Sequence, residues 1–364
     1  MESHMAVDID ALKEIISGAD RMLIVTHDHP DPDALTSAAV LAKLAESFSD
    51  VHYRIVCTGY VGRAENRALK RELHINLSAP HRFNWNKWAV IALVDAQPHT
   101  GNNCLPKGQS ADIVIDHHPL HKKVRAKYVD VRPELGACAT MMTEYLDAAG
   151  IEPDPDMAAG LCYAIASETQ DLNREACSKD SETYARLYLK ANKKVLARIL
   201  HPQLRHSYYY TLTHALLAAF TYGNIIGSHL DEIDHPDSVS LVADLLLRRR
   251  RNTWCIVTGV WKNDLYISLR SEGKRGHAGR ILRKMLSGLG SAGGHSQMAG
   301  GRVSLKGMDS AKRQKLQDEI VQRLIKQIRR RKKVPLKPLI SPDELDRVFR
   351  RADRPEKPNG GAQK

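Results

Sequence analysis

Three short segments hold most of the side chains in this sequence that could do chemistry. The first is His27-Asp28-His29-Pro30-Asp31-Pro32-Asp33. The second is Asp95, which ends the run Val-Ile-Ala-Leu-Val-Asp. The third is Asp116-His117-His118, which ends Asp-Ile-Val-Ile-Asp-His-His. Together they offer imidazoles and carboxylates without a thiolate, a donor set that suits Mn2+ ahead of zinc, with Mg2+ as an alternative. So many carboxylates at one place would repel one another strongly without cations. Two metals about 3.5–4 Å apart, sharing one carboxylate, would neutralise them and form a two-metal hydrolytic site. The competing reading makes each Asp or His a turn former or helix cap, with Asp33 capping a helix that starts at Ala34. For any single segment the capping reading is the better one. All three segments, however, follow directly on apolar runs.

Those runs are residues 22–26 (MLIVT), 88–94 (WAVIALV) and 113–115 (IVI). Continuous rather than alternating apolar residues suit parallel strands buried on both faces. Residues 34–48 carry Leu41, Leu44, Ala45 and Phe48 at helical spacing. The alternation predicts an α/β fold with a doubly wound, mostly parallel sheet. In such sheets functional groups gather at the carboxyl ends of the strands, so neighbouring strands would bring the three segments to one crevice. Residues 141–149 and 157–166 read as further helices. Residues 196–220, helical but interrupted by Pro202, read as a connector. Beyond it the sequence predicts helices at 239–247 and 278–285, strands at 255–261, 265–269 and 303–305, and a glycine-rich loop at 288–301. A last helix shows Leu316, Ile320, Leu324 and Ile328 on one face. The expected layout is a first domain over 1–195, the connector over 196–220, a smaller mixed α/β domain over 221–333, and a basic, mostly disordered tail over 334–364.

A length of 364 residues fits two domains, and 43% hydrophobic with 26% charged residues is a globular rather than a disordered balance. The six scattered cysteines form no CxxC pair, which argues against a zinc ribbon, a thioredoxin-type site and a disulfide framework. No apolar run is long enough to span a bilayer, and the acidic start (Glu2, Asp8, Asp10) does not suit a signal peptide. The expectation is a soluble, cytoplasmic protein with no membrane partner. Of the net charge of +12, residues 311–364 carry +10, from 17 basic and 7 acidic side chains. Such a tail suits an acidic partner such as RNA, although charge alone fits a solvated helix and a disordered end better. Arg248–Arg251 reads as a solvated helix end and Tyr208–Tyr210 as connector packing.

Residues 27–38 (HDHPDPDALTSA), Asp95 and Asp116-His117-His118 resemble, in order and spacing, the first three motifs of the DHH phosphoesterases. Gly293-Gly294-His295-Ser296-Gln297-Met298-Ala299-Gly300 resembles the GGHxxAAG motif of the associated C-terminal domain, and Ser268-Leu269-Arg270-Ser271 the strand before it. The resemblance covers residues 20–306. It is to RecJ-like proteins, most of all to the stand-alone nanoRNase/pAp-phosphatase branch. It implies one metal on His27, Asp31 and Asp95 and a second on Asp33, Asp95 and His117, with Asp95 bridging. Glu168, in Ser167-Glu168-Thr169, takes the place of a fourth-motif ligand, with Asp171 as its rival. His118 and Asp116 would act in catalysis, with His118 facing the phosphoryl group. Arg270, Ser271, Gly293, Gly294, His295 and Gly300 would grip substrate from the second domain, with the active site in the cleft between the domains. The implied cofactor is two Mn2+, with Mg2+ or Co2+ as alternatives. The implied activity is hydrolysis of short oligoribonucleotides, linear dinucleotides or 3′-phosphoadenosine 5′-phosphate. Exopolyphosphatase, cyclic-dinucleotide phosphodiesterase and a non-catalytic RNA-binding module are the rival expectations. A homodimer is compatible with the resemblance.

Overall fold

Apolar residues in consecutive positions of a strand point to opposite faces, so a run with no polar interruption needs cover on both sides. The computed structural model describes residues 7–120, 123–173, 176–273, 276–294, 296–329 and 336–352. It divides into two compact units, Met1–Gln203 and Leu204–Lys364.

In the first unit the chain runs α1 (Ile9–Ser17), β1 (Arg21–Val25), α2 (Pro32–Phe48), β2 (His52–Val56), α3 (Ala64–Glu72), β3 (Leu77–Ser78), β4 (Val90–Val94), β5 (Ile113–Asp116) and β6 (Tyr128–Val131). Helices α4 (Cys138–Ala148), α5 (Pro155–Glu168), α6 (Ser178–Lys190) and α7 (Lys193–Leu200) follow. The six strands are all parallel, in the order β3-β2-β1-β4-β5-β6. The chain steps outward from β1 to β3 and then returns to β4, so the order reverses between β1 and β4. Met22, Ile24, Ala92, Val94, Ile113 and Ile115 face the helices. Leu23, Val25, Ile91, Leu93 and Val114 face the other way, against Phe83, Trp85, Ala96, Leu105 and Ala111. The second face is thus covered mainly by irregular chain, not by helices as double winding leads one to expect. Its crossovers contain Pro98, Gly101, Pro106, Gly108 and Pro119, residues that interrupt helices.

The second unit runs α8 (His206–Leu217), β7 (Phe220–Tyr222), β8 (Ile225–Glu232), α9 (Ser238–Leu247), β9 (Trp254–Trp261), β10 (Asp264–Ser271), α10 (Ala278–Met285), β11 (Gly290–Gly294), β12 (Met298–Ser304), α11 (Ser310–Arg329), β13 (Lys337–Pro338) and α12 (Pro342–Ala352). Its seven-stranded mixed sheet has the order β11-β12-β10-β9-β8-β7-β13, with only β8 and β9 parallel. Helices α10 and α11 cover one face through Leu282, Leu316, Ile320 and Leu324. Helix α9 covers part of the other through Val239, Val242 and Leu246.

Three expectations change here. The interrupted helical stretch is real, but its second half, α8, belongs to the second unit, so no separate connector stands between 196 and 220. The glycine-rich stretch is a hairpin, β11 on β12, because neighbouring backbone supplies the ladder that glycines alone do not signal. The described part of the tail is ordered: β13 pairs with β7, and the Leu339 amide donates to the Ala219 carbonyl at 2.7 Å. Among the described residues no helix is long and apolar enough to cross a membrane.

Candidate metal centre

The three segments meet where the strand order reverses. Strand β1 ends two residues before His27, β4 ends one residue before Asp95, and Asp116 is the last residue of β5. Asp95 takes a left-handed backbone (φ 54°), an uncommon conformation for a side-chain-bearing residue and one concentrated at functional sites. Its carboxylate is only 2% exposed and lies among three imidazoles. Oδ2 is 3.5 Å from His27 Nε2, while Oδ1 is 3.5 Å from both His117 Nε2 and His118 Nδ1. His27 Nε2 is also 3.5 Å from Asp31 Oδ2, and His117 Nε2 is 3.7 Å from Asp33 Oδ2.

Two of these imidazoles are oriented by carbonyls. His27 Nδ1 lies 2.9 Å from the Asp28 carbonyl and His117 Nδ1 lies 3.2 Å from the Leu135 carbonyl. A carbonyl can only accept, so each Nδ1 carries the hydrogen and each Nε2 turns toward the carboxylates. That is the arrangement of a histidine metal ligand. Asp95 Oδ1 and His117 Nε2 are buried and make no hydrogen bond within the described structure. Such orphaned atoms are costly unless something else satisfies them. Two ligand-capable groups, His27/Asp31/Asp95 and Asp95/His117/His118, share Asp95. The residues present therefore fit a pair of cations.

The caps are exchanged relative to the sequence expectation. Asp31 caps α2, accepting from the Ala34 amide at 3.0 Å. Asp33 instead accepts from the Cys138 and Ala139 amides, each at 2.7 Å, and so joins α2 to the positive end of α4. Asp116, expected among the catalytic residues, lies beneath His118 with both its oxygens engaged. It is 1% exposed, and its two oxygens are taken by His118 Nδ1 (2.9 Å) and the Gln97 amide nitrogen (2.7 Å). His118, held by that bond, keeps a side chain 41% exposed. Gln97 escaped the sequence reading; its only signal is its place two residues beyond Asp95.

The electrostatics describe one crowded cluster. Burial, reinforced by Asp33, Asp31, Asp116 and Glu168, pushes Asp95 well above the ordinary carboxylate range. Burial and the Asp31 charge raise Asp33 to about 7. Glu168 is also raised to about 7, by burial and then by Asp31 and Asp33. Burial opposes the charged form of His27, yet Asp31 prevails and raises it to about 9. Against its own burial, Asp31 is drawn down to about 2 by His27. Glu168 ends α5 and feels Asp31, Asp33, His117 and His118 directly. Asp171 lies beyond it in a turn where residues 170–172 are all left-handed.

In the second unit Arg270 is buried and its Nε donates to Asp244 at 2.6 Å. On the same face of the sheet, Ser268 pairs with Gly300 and Gly300 with Gly293. Among the described residues, side chains added at Gly293 or Gly300 would meet open space, and the buried Ser268 Oγ makes no hydrogen bond. Gly294 must be glycine, with φ 133° and a position where an added Cβ would lie 2.3 Å from the Met298 carbonyl oxygen. The Ser271 hydroxyl donates to the Gly273 carbonyl at 3.3 Å, so it is committed to its own loop. His295 lies outside the described residues.

A model of the DHH family's N-terminal domain matches residues 21–165, and a model of the DHHA1 domain matches residues 222–329. The chain belongs to the DHH family. Within it, an uncharacterized protein of Methanocaldococcus jannaschii is 34% identical over 288 residues, which is 78% of this chain and 58% of that protein. A probable manganese-dependent inorganic pyrophosphatase of Staphylococcus epidermidis is 25% identical over 162 residues, which is 44% of this chain and 52% of that protein. The chain therefore spans between half and three-fifths of the length of these relatives. An exopolyphosphatase-related protein of Bacteroides fragilis shares the fold, with a TM-score of 0.70 at 16% identity, over 90% of this chain and 98% of that one.

Proposed function

We propose that this DHH-family chain is a two-metal phosphoesterase, with Mn2+ on His27, Asp31, Asp33, Asp95, His117 and Glu168. The observation that carries the proposal is the convergence of two ligand-capable groups on the buried, unsatisfied carboxylate of Asp95. When bound, such cations acidify a water and polarise the phosphoryl group. The chain's own part is to hold His27 and His117 in the ligating tautomer, to orient His118 through Asp116 and Gln97, and to present Arg270 with the glycine pair for substrate oxygens. A planar guanidinium suits phosphate.

The substrate class we favour is short oligoribonucleotides or linear dinucleotides, with 3′-phosphoadenosine 5′-phosphate as a related substrate. Inorganic pyrophosphate or polyphosphate is the competing class, supported by the staphylococcal relative's name. A release assay with Mn2+ against a 5′-phosphorylated diribonucleotide, 3′-phosphoadenosine 5′-phosphate, pyrophosphate, polyphosphate and a cyclic dinucleotide tests both. Turnover of the first two above the rest is the expected result. Preference for pyrophosphate or polyphosphate would replace the nucleotide reading, and no turnover of any would remove the enzymatic one.

A further inference from the structure

His29 stands between the ligands His27 and Asp31, yet it takes no part in the cluster around Asp95. Its backbone is left-handed (φ 56°), and its amide donates to the Thr58 carbonyl at 3.0 Å, tying the end of β1 to the end of β2. A Cβ built on Gly59 would lie 2.5, 2.6 and 2.8 Å from Nδ1, Cε1 and Cγ of His29. Near-equal distances to three neighbouring ring atoms mean that one ring face lies flat on the Gly59 backbone. The Tyr60 ring stands at 73° to that of His29, with centroids 4.3 Å apart. Gly59 is itself left-handed (φ 81°), so both its conformation and the ring above it require glycine. Despite this support His29 is exposed. An exposed aromatic ring fixed from below and from the side loses little entropy when something stacks on it. Two residues of chain reach at most about 7 Å, so the His29 Cα lies within that distance of the Cα atoms of His27 and Asp31.

We propose that His29, with Tyr60 beside it, is a nucleobase platform: the site takes a nucleoside phosphate with phosphate at the metals and base on the His29 ring. The proposal rests on the phosphoesterase reading and sharpens it, because inorganic pyrophosphate and polyphosphate have nothing to stack. Stacking is indifferent to the identity of the base, which makes the site selective for nucleotides without being selective among them.

The test uses the full chain loaded with Mn2+ and measures equilibrium binding of AMP and of inorganic phosphate, with Mn2+ content and thermal stability as controls. The platform predicts that His29→Ala weakens AMP about 5- to 100-fold, leaves phosphate affinity unchanged, and is rescued by His29→Phe. Equal loss of AMP and phosphate in both variants would make His29 an anion donor and overturn the platform. So would AMP affinity unaffected by His29→Ala, or wild-type AMP affinity no greater than that for phosphate. If the wild-type chain takes up Mn2+ but binds neither probe, the phosphoesterase reading falls together with the platform.

Discussion

At the scale of single residues the site turns on Asp95. Asp95→Ala is expected to abolish hydrolysis and to remove most bound Mn2+ while circular dichroism stays unchanged, since the carboxylate is directed at the three imidazoles. Full metal content in that variant would place the centre elsewhere. The fourth-motif ligand is tested by Glu168→Gln against Asp171→Asn. Glu168 lies in the field of Asp31 and Asp33, so Glu168→Gln should lose metal and activity by at least about tenfold more, each ligand being worth several kcal/mol of stabilised charge. Acidity gives a third expectation. Asp33 and Glu168 titrate near 7 in the folded chain and near 4 when unfolded, and His27 near 9 against 6.5. Between those limits the folded state holds more protons, so the metal-free protein loses stability as pH rises from about 4 to about 9. Mn2+ needs the same groups deprotonated. The gain in melting temperature on adding Mn2+ should therefore grow between about pH 5 and pH 8; a gain that shrinks with pH contradicts the ligand set.

Among the secondary-structure elements, what could be read from sequence follows from burial. Strands β1, β4 and β5 are legible because parallel strands closed on both faces need unbroken apolar runs. Strand β2 (HYRIV) buries only its last two residues and β6 (YVDV) is half open, so their polar residues conceal them. Helix α6 (SKDSETYARLYLK) buries only Asp180, Thr183 and Leu187, too thin a stripe to stand out. The His and Asp clusters that the fold gathers around Asp95 were visible in residue type and spacing, while the assignment of ligands to two metals came from the family resemblance. Gln97 and the holding role of Asp116 were not visible, because each depends on a partner brought close only by folding. The tail gives an expectation that reverses the one drawn from its composition. Leu336 and Leu339 pack against the second unit's two cores, and β13 extends its sheet. Ending the chain after residue 333 should cost about 2 kcal/mol, the order of burying one or two leucines in part. For a unit of this size that lowers the melting temperature by about 4–8 °C. An unchanged melting curve would return the segment to a dispensable tail.

For the molecule as a whole, every proposed ligand belongs to the first unit, while Arg270 and the glycine pair belong to the second. The fragment 1–203 should accordingly bind Mn2+ as the full chain does. In the full chain, Arg270→Ala should keep its metal and lose about 10²- to 10³-fold in kcat/KM, the scale of one removed charged donor. Metal loss in Arg270→Ala would mean that the second unit shapes the first.

The pairing of β13 with β7 also bears on how the protein is made. The Thr221 hydroxyl and the Lys337 carbonyl, 3.5 Å apart in the folded sheet, are separated by 116 residues of sequence. A ribosome adding about 5–20 residues per second needs roughly 6–23 seconds to cover that distance. Through that interval the outer edge of β7 has emerged without its neighbour, and an unpaired strand edge is a template for association with other chains. Nascent chains stalled between β7 and β13 would thus be the species most in need of chaperone cover.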